Sequence, residues 1–372
     1  MEKWTIQKLF QSQLDGTAPT LNVPLYQLKA AQAIGGCRTE AMGSHAQFCA
    51  NGHLCGVFYN SCRHRGCPQC QFAAKERWLA QWSARLLNVK HHHWIFTVPH
   101  LLLALWRYNR EWFQDKMYLA VSHTLKQLSR SKAHLGAQPG YLLALHTWGR
   151  NLSEHPHIHC LITHGGLDST GKWVSPKRGV MFPVKVMRRL FRGKFLAAVK
   201  QALAQSTLVL PPEQQTTQVT NLSNKLGRID WQVYACAPYA HGLGVAKYLA
   251  RYMRGGAINN SQITSVKNNV LTFKYKSHQT KKTERQQVSL PQFSRMVLRH
   301  LPLKGKPTIR YYGVYHPTVV NKLNLARGQF KQSSFIAVTL PTWQDILNKL
   351  GTTLICPECG IQERIASAPI KR

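Results

Sequence analysis

The chain has 372 residues and sets 49 Lys and Arg against 14 Asp and Glu, a formal net charge of +35. A surface this basic repels itself unless it meets a polyanion, so nucleic acid or an anionic membrane is the expected partner. The acids are scattered singly, with only Glu111 and Asp115 at helical spacing, which disfavours a nuclease built on three or four convergent carboxylates and two metal ions. A composition 44% hydrophobic and 10% aromatic is that of a globular protein rather than a basic tail. No apolar run approaches the roughly 18 residues of a spanning helix. The stretch Met1–Phe10, with Glu2, Lys3 and Lys8, lacks the apolar centre of a signal peptide. A cytoplasmic, DNA-associated protein is expected, whose ten cysteines serve as metal ligands rather than as a disulfide framework.

The chain opens on a helix-like stretch, and six of the ten cysteines then fall between Cys37 and Cys70. From Cys49 the sequence reads CANGHLCGVFYNSCRHRGCPQC. Its Cys67-Pro-Gln-Cys70 turn can set two thiolates on one metal, and a second pair about a dozen residues upstream completes a tetrahedral zinc site. Cys49 with His53 or with Cys55 can supply that pair, and Cys62 can displace either. Such a closed shell is structural, because it leaves no open coordination position. Arg63 and Arg65 beside it suggest a DNA-contacting face. Phe72–Leu87 then predicts a helix with one apolar face.

The centre alternates strand-like runs at 93–98, 141–147, 158–163, 270–275 and 309–314 with helix-like runs at 112–129, 186–204 and 245–253. They interleave without the short regular spacing of a doubly wound fold, which predicts the α+β class. The Gln-, Thr- and Asn-rich stretch 211–225 reads as a loop; His91, His92 and His93 are further candidate ligands, but the run beside Lys90 reads as surface. Three units are expected: an N-terminal helical and zinc-binding DNA-binding domain over 1–88, a catalytic domain over 89–300, and a basic C-terminal region over 301–372 with the pair Cys356 and Cys359.

Two motifs in the centre carry chemistry. In Glu154-His-Pro-His-Ile-His-Cys-Leu-Ile162 a strand places His157 and His159 on one face and Ile158 on the other. Two imidazoles so placed can meet one divalent ion. The preceding run Leu143–Arg150 can pair with this strand as a hairpin, which makes His146 the candidate third ligand. Downstream, in VAKYLARYMRGG, Tyr248 and Tyr252 stand four apart and share a helix face, flanked by Lys247, Arg251 and Arg254. A phenol near pKa 10 needs activation to attack a phosphate, and neighbouring cations with a metal on that phosphate can supply it.

With these residues in hand, the chain resembles a known family. His157-Ile158-His159 matches the histidine–hydrophobic–histidine (HUH) signature of single-strand DNA endonucleases. YNSCRHRGCPQC, WIFTVPH, LHTWGRNLSEHPHIHCLITHGG, LFRGKFLAAV, YLARYMRGGAI, FKYK and HLPLKGKPTIRYYG, in that order, resemble transposases of the insertion sequence 91 family. The resemblance implies a central antiparallel sheet with an HUH core. It implies Mg²⁺ or Mn²⁺ on His157 and His159, with His146 as the third ligand chosen here, and a structural zinc in the head drawn from Cys49, His53, Cys62, Cys67 and Cys70. Tyr248 or Tyr252 would attack single-stranded or hairpin DNA at the ends of a mobile element, leaving a 5′-phosphotyrosine and a free 3′-OH. Lys247, Arg251, Arg254, Arg63 and Arg65 would contact DNA, with Trp148, Trp173, Trp231, Tyr311 and Tyr312 available for stacking on bases. Lys304, Lys306, Arg310, Lys322, Arg327 and Lys331 would add phosphate contacts. The rival readings are an HUH replication initiator or relaxase, and a non-catalytic zinc-dependent DNA-binding protein. The chain departs from the family in having Cys49-x3-His53 where Cys-x2-Cys is commoner, which leaves Cys55 surplus. Its tail pair Cys356 and Cys359 lacks an evident second pair, so any zinc there is incomplete or shared.

Overall fold

A computed structural model describes the chain except residues 1–2, 178–180, 241–242, 245, 248–249, 251–255, 278, 352–354, 362–363 and 371–372, with backbone alone at 364–370. Two short helices open it, α1 (Ile6–Leu14) and α2 (Leu25–Gly35), and lead into β1 (Ser44–Cys49), β2 (Leu54–Tyr59) and helix α3 (Gln71–Arg85). Then come β3 (His91–Thr97), α4 (Leu103–Tyr108), α5 (Arg110–Arg130), β4 (Tyr141–Trp148) and β5 (Glu154–Thr163). After the short pair β6 (Gly166–Leu167) and β7 (Trp173–Val174), the chain continues through α6 (Val184–Ala204), α7 (Thr216–Arg228) and β8 (Val233–Ala235). A small sheet of β9 (Ile263–Lys267), β10 (Val270–Lys276) and β11 (Thr283–Ser289) follows. It leads to the helix Leu290–Arg299, to β12 (Ile309–Tyr312), to helices Val320–Gln329 and Trp343–Lys349, and finally to β13 (Arg364–Ile370).

The fold is α+β, centred on a five-stranded sheet in the order β12-β4-β5-β3-β8, with every neighbouring pair antiparallel. Alternation along the strands gives this sheet two different faces. Trp94 lies opposite Cys160 and Cys160 opposite Leu143, and all three belong to a large apolar cluster with Phe96, Ile158 and Ile162. Helices α5 and α6 close this face through Phe113, Tyr118, Phe191 and Phe195. Each large side chain removed from water there contributes roughly 1.5–3 kcal/mol. On the opposite face His146 stands across from His157, and Ile95 and Ala144 across from His159. That face is partly covered by Trp78 and Trp82 of α3 and by Ala246 and Ala250, which join Leu142, Ala144 and Leu161 in a second cluster. Alternation on β4 and β5 therefore keeps the main core on one face and the histidines, beside a second apolar cluster, on the other.

Three expectations change. The stretch read as a loop contains α7, closed at its start by reciprocal Gln215 and Gln218 contacts and buried through Val219, Ser223 and Leu226. The polar bias hid a helical stripe, since 219, 223 and 226 share one face. His91, His92 and His93 lie on the inner strand β3 and are buried, not on the surface. Neighbouring polar groups make this burial tolerable: His91 Nε2 is 2.6 Å from the Tyr315 hydroxyl, and His92 Nε2 is 2.6 Å from His164 Nδ1. The strand expected over 309–314 stops at Tyr312, because Gly313 turns the chain at φ +60°. A Cβ at Gly313 would lie 1.8 Å from the Pro139 carbonyl oxygen, so neither the conformation nor the space admits a side chain. Gly313→Ala is expected to destabilise the protein by roughly 3 kcal/mol or more, read as a lowered urea midpoint.

Strand β12 lies in the region 301–372 yet forms one edge of the central sheet, while β13 pairs with β1 of the head. Glu111 and Asp115, one turn apart on α5, receive this region's cations: Lys306 Nζ is 2.7 Å from Glu111 and 3.3 Å from Asp115, and Arg310 also reaches Asp115. Among the described residues no helix is long and apolar enough to cross a membrane.

Candidate metal centres and DNA interface

Hairpin β4–β5 brings three imidazoles together. Donor nitrogens of His146, His157 and His159 all lie within 4.8 Å of one another, and all three residues are buried. His157 Nδ1 is 2.6 Å from the His155 carbonyl oxygen. A carbonyl can only accept, so Nδ1 carries the proton and the Nε2 lone pair faces the cluster. There His157 Nε2 and His159 Nε2 are 3.0 Å apart. The far nitrogen of His159, Nδ1, lies 2.8 Å from His93 Nε2, and His93 Nδ1 lies 3.4 Å from Cys236 Sγ. Burial is the first cause holding His146 and His159 well below the usual imidazole range, with the neighbouring histidines adding to it. These two rings are therefore neutral near pH 7, as metal ligation requires.

This donor set suits a divalent ion. Two nitrogens 3.0 Å apart match neighbouring ligands on an octahedral ion at about 2.1 Å. The His155 carbonyl and His93 occupy the outer positions that fix ring orientation in metal sites. His93, a further ligand candidate in the run read as surface, is buried beside the centre instead. Its signal was its two-residue offset from Ile95, the residue that faces His159 across the sheet.

The head holds two further clusters. Cys37, Cys62, Cys67 and Cys70 offer sulfurs within 4.8 Å of one another, with Cys62 Sγ 3.7 Å from Cys70 Sγ. A tetrahedral zinc with Zn–S near 2.3 Å separates its sulfurs by about 3.8 Å. Backbone amides point at the thiolates, Cys62 N–H to Cys37 Sγ at 3.4 Å and His64 N–H to Cys62 Sγ at 3.4 Å. Cys49 and His53 stand in a different cluster, with Cys356 and Cys359. The five head residues expected to share one zinc thus divide between two groups of four. Cys37 was missed because it lies 25 residues before Cys62, outside any short motif, and only the packing of α1 and α2 brings it in.

Arg63 is exposed at φ +52°, whereas the Arg65 guanidinium is turned inward, bonding the Lys306 carbonyl at 2.8 Å and Thr308 Oγ1 at 3.2 Å. Lys247 is exposed. Tyr248, Tyr252, Arg251 and Arg254 lie outside the described residues. Of the aromatics, Trp231 is core and unavailable for stacking on bases, and Tyr312 stacks on Tyr141 at 4.9 Å between ring centroids. Tyr311 takes the Trp78 indole N–H at 2.9 Å, and Trp173 packs edge-on against Phe330. Trp148 is half-exposed, lies parallel to His146 at 5.0 Å, and lines a cleft with Arg65, Arg110, Thr147 and His300.

His300 adds a titration that stability should register. Burial, the leading cause, lowers it from 6.5 to about 4. The folded state thus binds fewer protons than the unfolded chain below pH 6.5, so stability is flat above that pH and falls as pH drops toward 4. The loss from His300 is on the order of 3 kcal/mol, and His92, also lowered to about 4 by burial, adds in the same direction. Urea melts at pH 7, 5.5 and 4.5 should show this decline, and His300→Gln should make it shallower.

Comparison with known proteins bears on this architecture. The family described as "Putative transposase" matches residues 140–322, which hold the histidine hairpin. The family described as "Transposase zinc-binding domain" matches residues 9–98, which hold the cysteine head. The chain is 34% identical over 298 residues to "Putative transposase y4qJ" of Sinorhizobium fredii (strain NBRC 101917 / NGR234), covering 77% of this chain and 74% of that protein. It is 29% identical over 309 residues to "Transposase for insertion sequence element IS801" of Pseudomonas savastanoi pv. phaseolicola, covering 78% and 72%. No solved structure matches the chain at a significant level. A zinc-binding head domain, an antiparallel sheet whose histidine cluster fits an HUH core, and these relatives together mark a transposase, a DNA-cleaving enzyme. The chain belongs to the insertion sequence 91 family.

Proposed function

We propose that this transposase nicks and rejoins single-stranded DNA at the ends of its mobile element through a 5′-phosphotyrosine intermediate, in a rolling-circle mode. The observation that carries this reading is the buried cluster of His146, His157 and His159 on the face of the sheet opposite the main apolar core. The residues would hold Mg²⁺ or Mn²⁺, which when bound polarises a phosphoryl oxygen and neutralises charge in the transition state. His155 and His93 would keep the ligand nitrogens aimed. The phenol of Tyr248 or Tyr252 releases its proton to solvent and its oxygen attacks phosphorus; the P–O bond to the 3′-oxygen breaks, that oxygen takes a proton from solvent, and one phosphate ester replaces another, so rejoining needs no ATP. Two tyrosines permit a second cleavage while the first strand stays attached. Ala246 and Ala250 are buried in one cluster with Leu142, Ala144 and Leu161 on that side of the sheet.

Single-stranded or hairpin DNA suits the chemistry, because the nucleophile needs a flexible backbone. Lys247, Arg251, Arg254 and Arg63 serve as phosphate contacts, and the Trp148 cleft serves as a place for an unstacked base. Arg65 acts mainly by holding the chain at 303–308. Residues 1–88 are read as the zinc-binding DNA-binding unit, 89–300 as the nuclease, and 301–372 as a basic region closing onto both.

The test is incubation with labelled single-stranded element ends and Mg²⁺ or Mn²⁺. A protein–DNA adduct stable on a denaturing gel is expected, and it should vanish in the Tyr248→Phe/Tyr252→Phe variant. Undiminished cleavage by that variant would sink the phosphotyrosine mechanism, and binding without cleavage by the wild type would favour a non-catalytic role.

A further inference from the structure

We propose that the chain holds a second structural zinc ion, between Cys49 and His53 of the head and Cys356 and Cys359 of the tail, and that this ion fastens the two distant parts of the sequence together. The four donor atoms lie within 4.8 Å of one another. Cys49 Sγ is 3.7 Å from Cys359 Sγ, and Cys356 Sγ is 3.9 Å from His53 Nδ1. These separations are those of ligands around one tetrahedral zinc, with S···S near 3.8 Å. Three thiolates and one imidazole form a closed shell for that metal.

The backbone on both sides is shaped for the task. On the head side, Gly52 N–H donates to the Cys49 carbonyl at 3.0 Å and Cys49 N–H to the His53 carbonyl at 3.0 Å, a turn that folds His53 back beside Cys49. Gly52, at φ +82°, makes that turn possible. On the tail side, Cys356 N–H donates to the Ile361 carbonyl at 2.9 Å and Gly360 N–H to the Cys356 carbonyl at 3.0 Å. The amides of Glu358 and Cys359 point at Cys356 Sγ, as in other two-cysteine metal turns. Glu358 lies 3.7 Å from His53 Nε2, the nitrogen away from the cluster. A carboxylate there orients the ring and fixes the tautomer that leaves Nδ1 free to ligate.

A separate observation shows that the tail belongs beside the head. Strand β13 pairs antiparallel with β1, from Ser44 opposite Ile370 to Cys49 opposite Arg364. Before it, Lys349 pairs with Glu76 at 2.7 Å, Arg77 bonds the Pro341 carbonyl at 3.0 Å, and Arg38 lies 5.4 Å above the Trp343 ring. The sulfurs thus meet where the chain already docks. Among the described residues Cys55 belongs to neither cluster, and its sulfur lies 3.8 Å from the His53 carbonyl.

The experiment measures zinc per chain on the full-length protein, purified under reducing conditions, by native mass spectrometry. Cys356→Ser/Cys359→Ser is expected to carry one zinc fewer than wild type, and so is Cys49→Ser. The triple variant Cys49→Ser/Cys356→Ser/Cys359→Ser should lose no more than that one ion, because all three residues serve the same site. Equal zinc in wild type and the tail variant, or loss of two ions in the triple variant, overturns the proposal. Limited proteolysis supplies a second readout: cleavage within 330–350 should rise at least about tenfold in the tail variant while the head stays resistant. An unchanged cleavage rate after zinc loss overturns the fastening role.

Discussion

His157→Ala is expected to lower strand cleavage by at least about a thousandfold while the protein still folds. Charge stabilisation by a bound ion is worth several kcal/mol in a phosphoryl transition state, and about 4 kcal/mol is already three orders of magnitude. His157 bonds the His155 carbonyl and faces His159, while the packing of β5 against α5 and α6 runs through Ile158, Cys160 and Ile162 on the other side. Its imidazole can therefore be removed without opening the main core. His159→Ala should cost more stability, because His159 also meets His93. Single-turnover cleavage of a labelled end, together with a thermal melt, separates the two effects. Cleavage within tenfold of wild type in a folded His157→Ala protein would remove this cluster from the mechanism.

Cys67→Ser is expected to unfold the head. Cys67 is fully buried and its cluster sits inside an apolar group with Leu9, Phe10, Ala31, Ile34 and Leu301. Structural zinc contributes on the order of 10 kcal/mol in small metal-bound folds, comparable to the whole stability of a domain. Loss of one sulfur also leaves three thiolates crowded without their counterion. Wide-line amide resonances from the first 70 residues, or aggregation on expression, are the expected outcomes, and a strong zinc chelator should reproduce them in wild type. Cys55→Ser serves as the control and should shift stability by no more than about 0.5 kcal/mol. A well-folded Cys67→Ser protein with unchanged melting would show that zinc does not hold the head.

What the sequence revealed follows from the reach of each interaction. Strands β4, β5 and β10 declared themselves through runs of apolar residues, and β5 through the offset of its histidines, because a strand's faces are set by neighbours two residues away. His146 could be placed opposite His157 because a hairpin couples residues close in sequence. Burial of His91 to His93 could not be read locally: it depends on β8 and β5 flanking β3 and on Tyr315 arriving from more than two hundred residues on. The grouping of Cys37 with Cys62, and of Cys49 with Cys356, was hidden for the same reason. Helix α7 was obscured by composition, since its three buried positions are diluted by Gln, Thr and Asn. Tyr248 and Tyr252 lie outside the described residues, so their role rests on sequence and on the experiment above.

The alternation of β5 has a consequence for how this protein tolerates change. A saturation scan at 157–160 and 162, scored separately for protein abundance and for DNA cleavage, should give two interleaved profiles. Polar replacements at Ile158, Cys160 and Ile162 should empty the cell of protein, because those side chains have no water to turn to. Replacements at His157 should leave abundant protein that does not cut, and those at His159 somewhat less of it. Inactive copies of such an element would then fall into two kinds, one silent because it is degraded and one that persists intact and still occupies DNA. The second kind can compete with an active copy for the same ends, and a single codon on this strand decides between the two fates.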